Sequence, residues 1–132
     1  MQWIPYVENT AEFWSLVDAM VVTSAYEGLP IAMLEALAMG VPVISTDVGD
    51  IARVLAGHGG GVVVDKAAGA DVFAERMDDF VDAVPAMHAH LLEESAKVLD
   101  RFSSRAIAEQ YHASWQAAIL QRSAAVEAPA KC

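Results

Sequence analysis

Residues 24–49 read SAYEGLPIAMLEALAMGVPVISTDVG and contain the signals for a supersecondary unit. The order of residue types predicts a glycine-containing turn, a helix that begins at Pro30, a helix stop at Gly40 and a strand from Val41 onward. A short valine-rich run, Ala19–Thr23, precedes the turn and has the length and composition of a buried parallel strand. The unit is therefore strand, helix, strand, which is typical of a parallel sheet.

Two carboxylates stand in this unit. Glu27 lies in the turn where the chain leaves the carboxyl end of a strand, and open parallel sheets bind their ligands there. Glu35 follows about one and a half turns into the helix. We expect this side chain about 90° from the centre of the buried stripe, where it can face a cleft without full burial. Either glutamate alone could also be an ordinary solvated residue. The predicted stripe consists of Ile31, Leu34, Leu37 and Ala38.

The run resembles the signature of family-4 glycosyltransferases, which are retaining enzymes with two Rossmann-like domains in the GT-B architecture. Their signature is Ser-x-x-Glu-Gly, six residues, then Glu-Ala-x-Ala-x-Gly-x-Pro-Val. The likeness covers roughly residues 2–122 and implies the C-terminal, nucleotide-sugar-binding domain of such an enzyme, in truncated form. The chain matches the signature at Ser24, Glu27, Gly28, Glu35, Ala36, Ala38, Gly40, Pro42 and Val43.

The resemblance implies roles for individual residues. Glu35 would accept hydrogen bonds from the ribose hydroxyls of a nucleotide, and Glu27, the catalytic candidate, would hold hydroxyls of the donor sugar. Backbone amides after Gly28 would approach the sugar and its phosphates, since a helix N-terminus offers N–H groups and partial positive charge. The predicted donor-binding set is Glu27, Gly28, Leu29, Pro30, Ile31 and Glu35. Second-rank candidates are Thr46, Asp47 and Gly49, for which turn chemistry is the alternative role.

Two residues depart from the family pattern. The family commonly has two glycines before a glutamate in the helix after Gly49, whereas Asp50 and Arg53 stand at the second glycine and the glutamate here. Because an aspartate beside a phosphate is unfavourable, we do not expect close backbone contact at Asp50. Arg53 could supply a compensating cation, but an exposed pair with Asp50 is the plainer expectation.

The remaining patterns predict an α/β fold. We expect a Rossmann-like three-layer domain over residues 1–122, with a short parallel sheet of about four strands and a helical C-terminal part, followed by a flexible tail at 123–132. Trp3–Val7 is the first predicted strand. Pro85 is expected to separate a helix over 70–84 from one over 87–101. The expected helix caps are Asn9 or Thr10 for the first helix and Ser103 or Ser104 for the last.

The length of 132 residues corresponds to about one domain, whereas complete enzymes of the family have two. The resemblance therefore implies a missing N-terminal acceptor domain, and missing Arg and Lys residues that neutralise the donor diphosphate. No Lys or Arg precedes Arg53. We expect no transferase activity from the chain alone. We also expect a sheet edge left exposed, through which a homodimer could form.

Composition limits the other classes. Eight basic and eighteen acidic residues give a net charge of −10, which does not fit a nucleic-acid partner. No apolar run has membrane-span length, and acidic residues interrupt any signal peptide. The single Cys132 favours a cytoplasmic location. We expect no metal and no cofactor beyond the nucleotide-sugar substrate. The histidines lack metal-ligand spacing and are predicted at the surface: His58, His88, His90 and His112.

Two function classes remain. The first is a glycosyltransferase donor-binding domain that transfers a sugar with retention when an acceptor domain completes it. The second is a non-catalytic remnant, a nucleotide-binding or oligomerisation module without transferase activity. An adjacent coding sequence for the acceptor domain would separate them. An unrelated Rossmann-like domain is disfavoured because no Gly-x-Gly-x-x-Gly follows a strand.

Overall fold

The computed structural model describes residues 1–4 and 6–127, with side chains described except at 99 and 123–127. Helices and strands alternate through the first part of the chain, which confirms the α/β class. Two long helices follow. In chain order the elements are α1 Thr10–Trp14, β1 Met20–Val22, α2 Ile31–Ala38, β2 Val43–Thr46, α3 Ile51–Ala56, β3 Gly61–Val64, α4 Ala70–Arg101 and α5 Ser104–Glu127.

The described residues form a three-stranded parallel sheet in the order β1-β2-β3, rather than one of about four strands. The prediction of a strand at Trp3–Val7 is wrong for the residues described there, which are not in a strand. Trp3 and Tyr6 are exposed, so no packed face holds this segment in the sheet. β1 is an edge strand, and Val21 is accordingly 48% exposed rather than fully buried.

Helices cover both faces of the sheet. On one face Ile44 and Val64 pack with Phe80 of α4 in a buried cluster. Side chains alternate across a strand, so Gly61 points to the other face. There α3 comes so close that a Cβ at Gly61 would lie 2.8 Å from Leu55 Cδ1. This layering is that of a Rossmann-like domain.

The buried stripe of α2 differs from the predicted one. Met33, Ala36 and Leu37 are fully buried, whereas Ile31 is 71% exposed. The helix is apolar on most sides, so its sequence alone does not fix which side meets the sheet. By helical geometry, Glu35 lies about 150° from the centre of the observed stripe, not about 90° as predicted.

Helix α4 is continuous through Pro85, and the predicted break there is wrong. Proline removes one helical hydrogen bond, to the carbonyl of Val81. The Val81 side chain is 57% exposed, so this side of the helix faces water. Phe80 and Leu91 are buried on either side of the proline, at a spacing that keeps them on one face. Their packing holds the helix together across the missing bond.

The chain divides into two compact units, Met1–Val98 and Leu99–Cys132. In the second, Ser103 Oγ accepts a hydrogen bond of 3.1 Å from the Ala106 amide, which confirms the expected cap. The expected domain end at 122 and the tail at 123–132 stay predictions. α5 runs to Glu127, and residues 128–132, with Cys132, lie outside the described residues. None of the helices in the described part is long and apolar enough to cross a membrane.

Candidate functional site

The loops that follow β1 and β2 are bonded to each other at the carboxyl edge of the sheet. The Thr46 hydroxyl donates to the Ser24 carbonyl at 2.8 Å. Further along, the Asp50 amide donates to the Gly28 carbonyl at 2.9 Å. The turn that carries Glu27 is thus fixed to the loop after β2, where parallel sheets commonly bind ligands.

Gly49 lies close to the backbone of the Glu27–Gly28 turn. Its φ of 56° is in the left-handed region, and a Cβ there would lie 2.2 Å from the Gly28 carbonyl oxygen and 2.4 Å from that of Glu27. Both constraints require glycine. Gly49 therefore supports the Glu27–Gly28 turn through backbone contact.

Gly28 has neither constraint. Its φ is not positive, and a Cβ there would meet no described atom within 4 Å. Packing inside the chain therefore gives no reason for glycine at this position. The adjoining N-terminus of α2 begins after Pro30 and has no side-chain cap, so its first amides remain available to a ligand. Leu29 and Pro30 are half-buried.

The carboxylate of Glu27 is exposed and held by one local hydrogen bond. The Ser24 hydroxyl donates to Glu27 Oε1 at 2.7 Å. An ionised carboxylate accepts about four hydrogen bonds, so most of its capacity remains for other donors. Ser24 thereby orients the carboxylate within its own turn.

Glu35 is half-buried, and its cover comes from α1. Trp14 Nε1 donates to Glu35 Oε2 at 3.2 Å, and Trp14 itself is 8% exposed. Asn9 fixes the start of α1, because its Oδ1 accepts from the Glu12 amide at 3.2 Å, as the sequence predicted. The sequence patterns do not predict the contact of Trp14 with Glu35. The only signal in the sequence is the indole N–H, which needs an acceptor when it is buried.

The second-rank candidates have structural partners. The Thr46 hydroxyl is engaged with Ser24, as described above. The Asp47 amide donates to the Val64 carbonyl at 2.8 Å, which joins the end of β2 to β3, while the Asp47 side chain is exposed. These contacts fit turn and sheet chemistry, and a role of either residue toward a ligand stays a prediction.

Asp50 and Arg53 form the expected pair at the start of α3. Arg53 Nη2 lies 2.8 Å from Asp50 Oδ2, and Nε lies 3.1 Å from Oδ1. This two-point hydrogen bond, with the nearby positive charge, lowers the pKa of the Asp50 carboxyl from its usual value. The charge of Arg53 is thus directed at Asp50.

One histidine is buried, and another, exposed as predicted, holds two helices together. His58 is buried, at 6% exposure, which corrects its predicted surface position. It follows the last turn of α3, where the chain packs back toward the sheet. His88 Nδ1 lies 2.7 Å from the Gly40 carbonyl oxygen and ties α4 to the end of α2. Among the described residues, no group of three or more His, Cys, Asp or Glu side chains could hold a metal ion.

Comparison with known proteins adds two findings. Residues 1–98, which include both loops of the site, match the family of Glycosyl transferases group 1. The chain is also similar to the lipopolysaccharide core biosynthesis mannosyltransferase LpsB of Rhizobium meliloti (strain 1021), with 32% identity over 108 residues. That match covers 78% of this chain and 31% of the relative, so the chain spans about a third of the relative's length.

Proposed function

The chain belongs to the group 1 glycosyl transferases, and we propose that it forms the donor-binding part of a retaining family-4 enzyme of GT-B architecture. In this proposal it corresponds to the C-terminal, nucleotide-sugar-binding domain. The observation that carries the proposal is Gly28, a glycine that packing does not require, beside an uncapped helix start. A ligand that must approach the backbone closely gives this glycine a reason.

In the proposal, each of the two carboxylates accepts hydrogen bonds from hydroxyl groups of the donor. Glu27 holds hydroxyls of the donor sugar with the capacity that Ser24 leaves unused. Glu35 accepts hydrogen bonds from the ribose hydroxyls in addition to the one from Trp14. The diphosphate lies at the start of α2, where amides such as that of Ile31 and the helix dipole favour negative charge.

The chain by itself binds donor but does not transfer sugar. A departing nucleoside diphosphate needs positive charge to stabilise it. Residues 1–52 contain no Lys or Arg, and Arg53 is hydrogen-bonded to Asp50. We propose that the opening strand-and-helix units of the donor domain supply these cations and that a separate acceptor domain supplies the acceptor site. Without these parts, the chain behaves as a nucleotide-binding module.

Titration with ADP, GDP and UDP tests the proposal. At least one should bind weakly, and Glu35→Ala should weaken that binding about tenfold to a hundredfold, since hydrogen bonds to a charged group contribute about 1.5–3 kcal/mol. Glu75→Ala, which removes an exposed carboxylate on α4, is the matched control and should leave the heats unchanged. If Glu35→Ala leaves the heats of binding unchanged, Glu35 is not part of the site.

We also propose a homodimer through the outer edge of β1. The supporting observation is that β1 pairs only with β2 among the described strands, with Val21 48% exposed. Sedimentation equilibrium should show a dimer that Val21→Lys shifts toward monomer, while Val81→Lys on α4 leaves it intact. A monomer at every concentration would contradict this.

A further inference from the structure

We propose that Trp14 is a positioning residue that orients Glu35 for the ribose hydroxyls. The inference rests on the proposed function, because it specifies how one of the two carboxylates is prepared for its ligand. Its basis is the indole–carboxylate hydrogen bond of 3.2 Å between α1 and α2, which joins residues 21 positions apart.

The bond fits an orienting role because the indole has a single donor, whereas the carboxylate keeps acceptor sites beside the bond. An indole offers one donor and no acceptor, and a buried indole N–H usually finds a hydrogen-bond partner. Trp14 is 8% exposed, so water has little access to it. Glu35 has several acceptor sites, and a single bond to Oε2 restricts the rotation of the carboxylate while it leaves sites for two hydroxyls.

The indole is itself held in place. Phe13 packs edge-on against it, with ring centroids 5.0 Å apart and an interplanar angle of 69°. The Asn9 cap and the Ser15 hydroxyl, which donates to the Glu12 carbonyl at 2.7 Å, close the two ends of this short helix. Trp14 therefore presents its N–H from a supported position rather than from a loose loop.

Orientation matters for affinity because a free glutamate samples many rotamers. Ordering such a side chain when the ligand binds reduces affinity by about threefold to tenfold. A glutamate already oriented by Trp14 avoids this loss, but only for ligands that use the carboxylate. Removing the indole N–H should therefore weaken the binding of nucleotides that carry ribose hydroxyls. The binding of nucleotides that lack these hydroxyls should not change.

The experiment compares ADP, GDP and UDP with their 2′,3′-dideoxy forms on the full chain. The wild type should prefer the ribose form of the nucleotide it binds, and Glu35→Ala should abolish this preference. Trp14→Phe should reduce the preference by about threefold to tenfold with dideoxy binding unchanged. In the double variant, Trp14→Phe should cause no loss of affinity beyond that caused by Glu35→Ala. Trp3→Phe, at an 80% exposed indole, is the matched control and should change neither affinity.

Replacement of Trp14 by benzothienylalanine gives a second variant. It keeps the size of the indole ring and replaces the N–H by sulfur, so it tests the hydrogen bond even where Trp14→Phe does not fold. An equal loss for ribose and dideoxy forms, or an unchanged preference, would overturn the positioning role alone. A wild type without any ribose preference, or a preference that survives Glu35→Ala, would overturn the proposed function and this inference with it.

Discussion

Gly49→Ala should lower the free energy of unfolding by more than about 3 kcal/mol, measured by urea denaturation. A left-handed φ costs an alanine about 1–2 kcal/mol. The new Cβ would also lie 2.2 Å from the Gly28 carbonyl oxygen, a backbone atom that cannot move aside as a flexible side chain would. The clash adds to the strain. Because Asp50 is hydrogen-bonded to Gly28, relief of the clash would also pull that bond apart.

Gly69→Ala is the matched control for this prediction. A Cβ at Gly69 meets no described atom within 4 Å, and its φ is not positive, so the change should stay within about 0.5 kcal/mol of wild type. If Gly49→Ala were as stable as Gly69→Ala, the contact between the two loops would be absent in solution. The Glu27–Gly28 turn would then lack the support of Gly49 and depend on its hydrogen bonds to the loop after β2.

Gly28→Leu should affect ligand affinity rather than stability. We expect the free energy of unfolding to stay within about 0.5 kcal/mol of wild type, because a Cβ there points away from described atoms. Affinity for a nucleotide sugar should fall at least about a hundredfold, or 2.7 kcal/mol, because the side chain occupies the space through which the ligand approaches the backbone. Calorimetric titration with UDP-glucose and GDP-mannose measures the affinity.

The control for Gly28→Leu is Gly69→Leu, which makes the same chemical change at another open glycine. It should leave both stability and affinity unchanged. Retained affinity in Gly28→Leu would show that no ligand approaches this turn. A large loss of stability would mean that glycine is needed there for the fold, which would remove the main support for the proposed function.

Features that depend on neighbouring residues follow from the sequence. The Asn9 cap and the Asp50–Arg53 pair each join residues three positions apart. Gly40 ends α2 with a φ of 79°, a conformation that glycine adopts readily. For such features the local physics and the final structure agree.

Features that depend on distant partners were not predictable. Ile31 and Met33 are both apolar, and only the packing of the sheet decides that Met33 is buried and Ile31 exposed. Trp14 and Glu35 are brought together by the fold. Pro85 was expected to end a helix on local grounds, but buried residues on both sides of it hold α4 together. In each case tertiary contacts decide what local sequence leaves open.

A crystal structure of the chain with UDP-glucose or GDP-mannose bound would show whether both carboxylates bind hydroxyl groups of the donor. We predict ribose hydroxyls within about 3.2 Å of the Glu35 carboxylate, sugar hydroxyls at the same distance from Glu27, and the hexose against the backbone at Gly28. A nucleotide sugar ordered elsewhere, or bound at this turn with neither carboxylate in hydrogen-bond contact, would contradict this prediction.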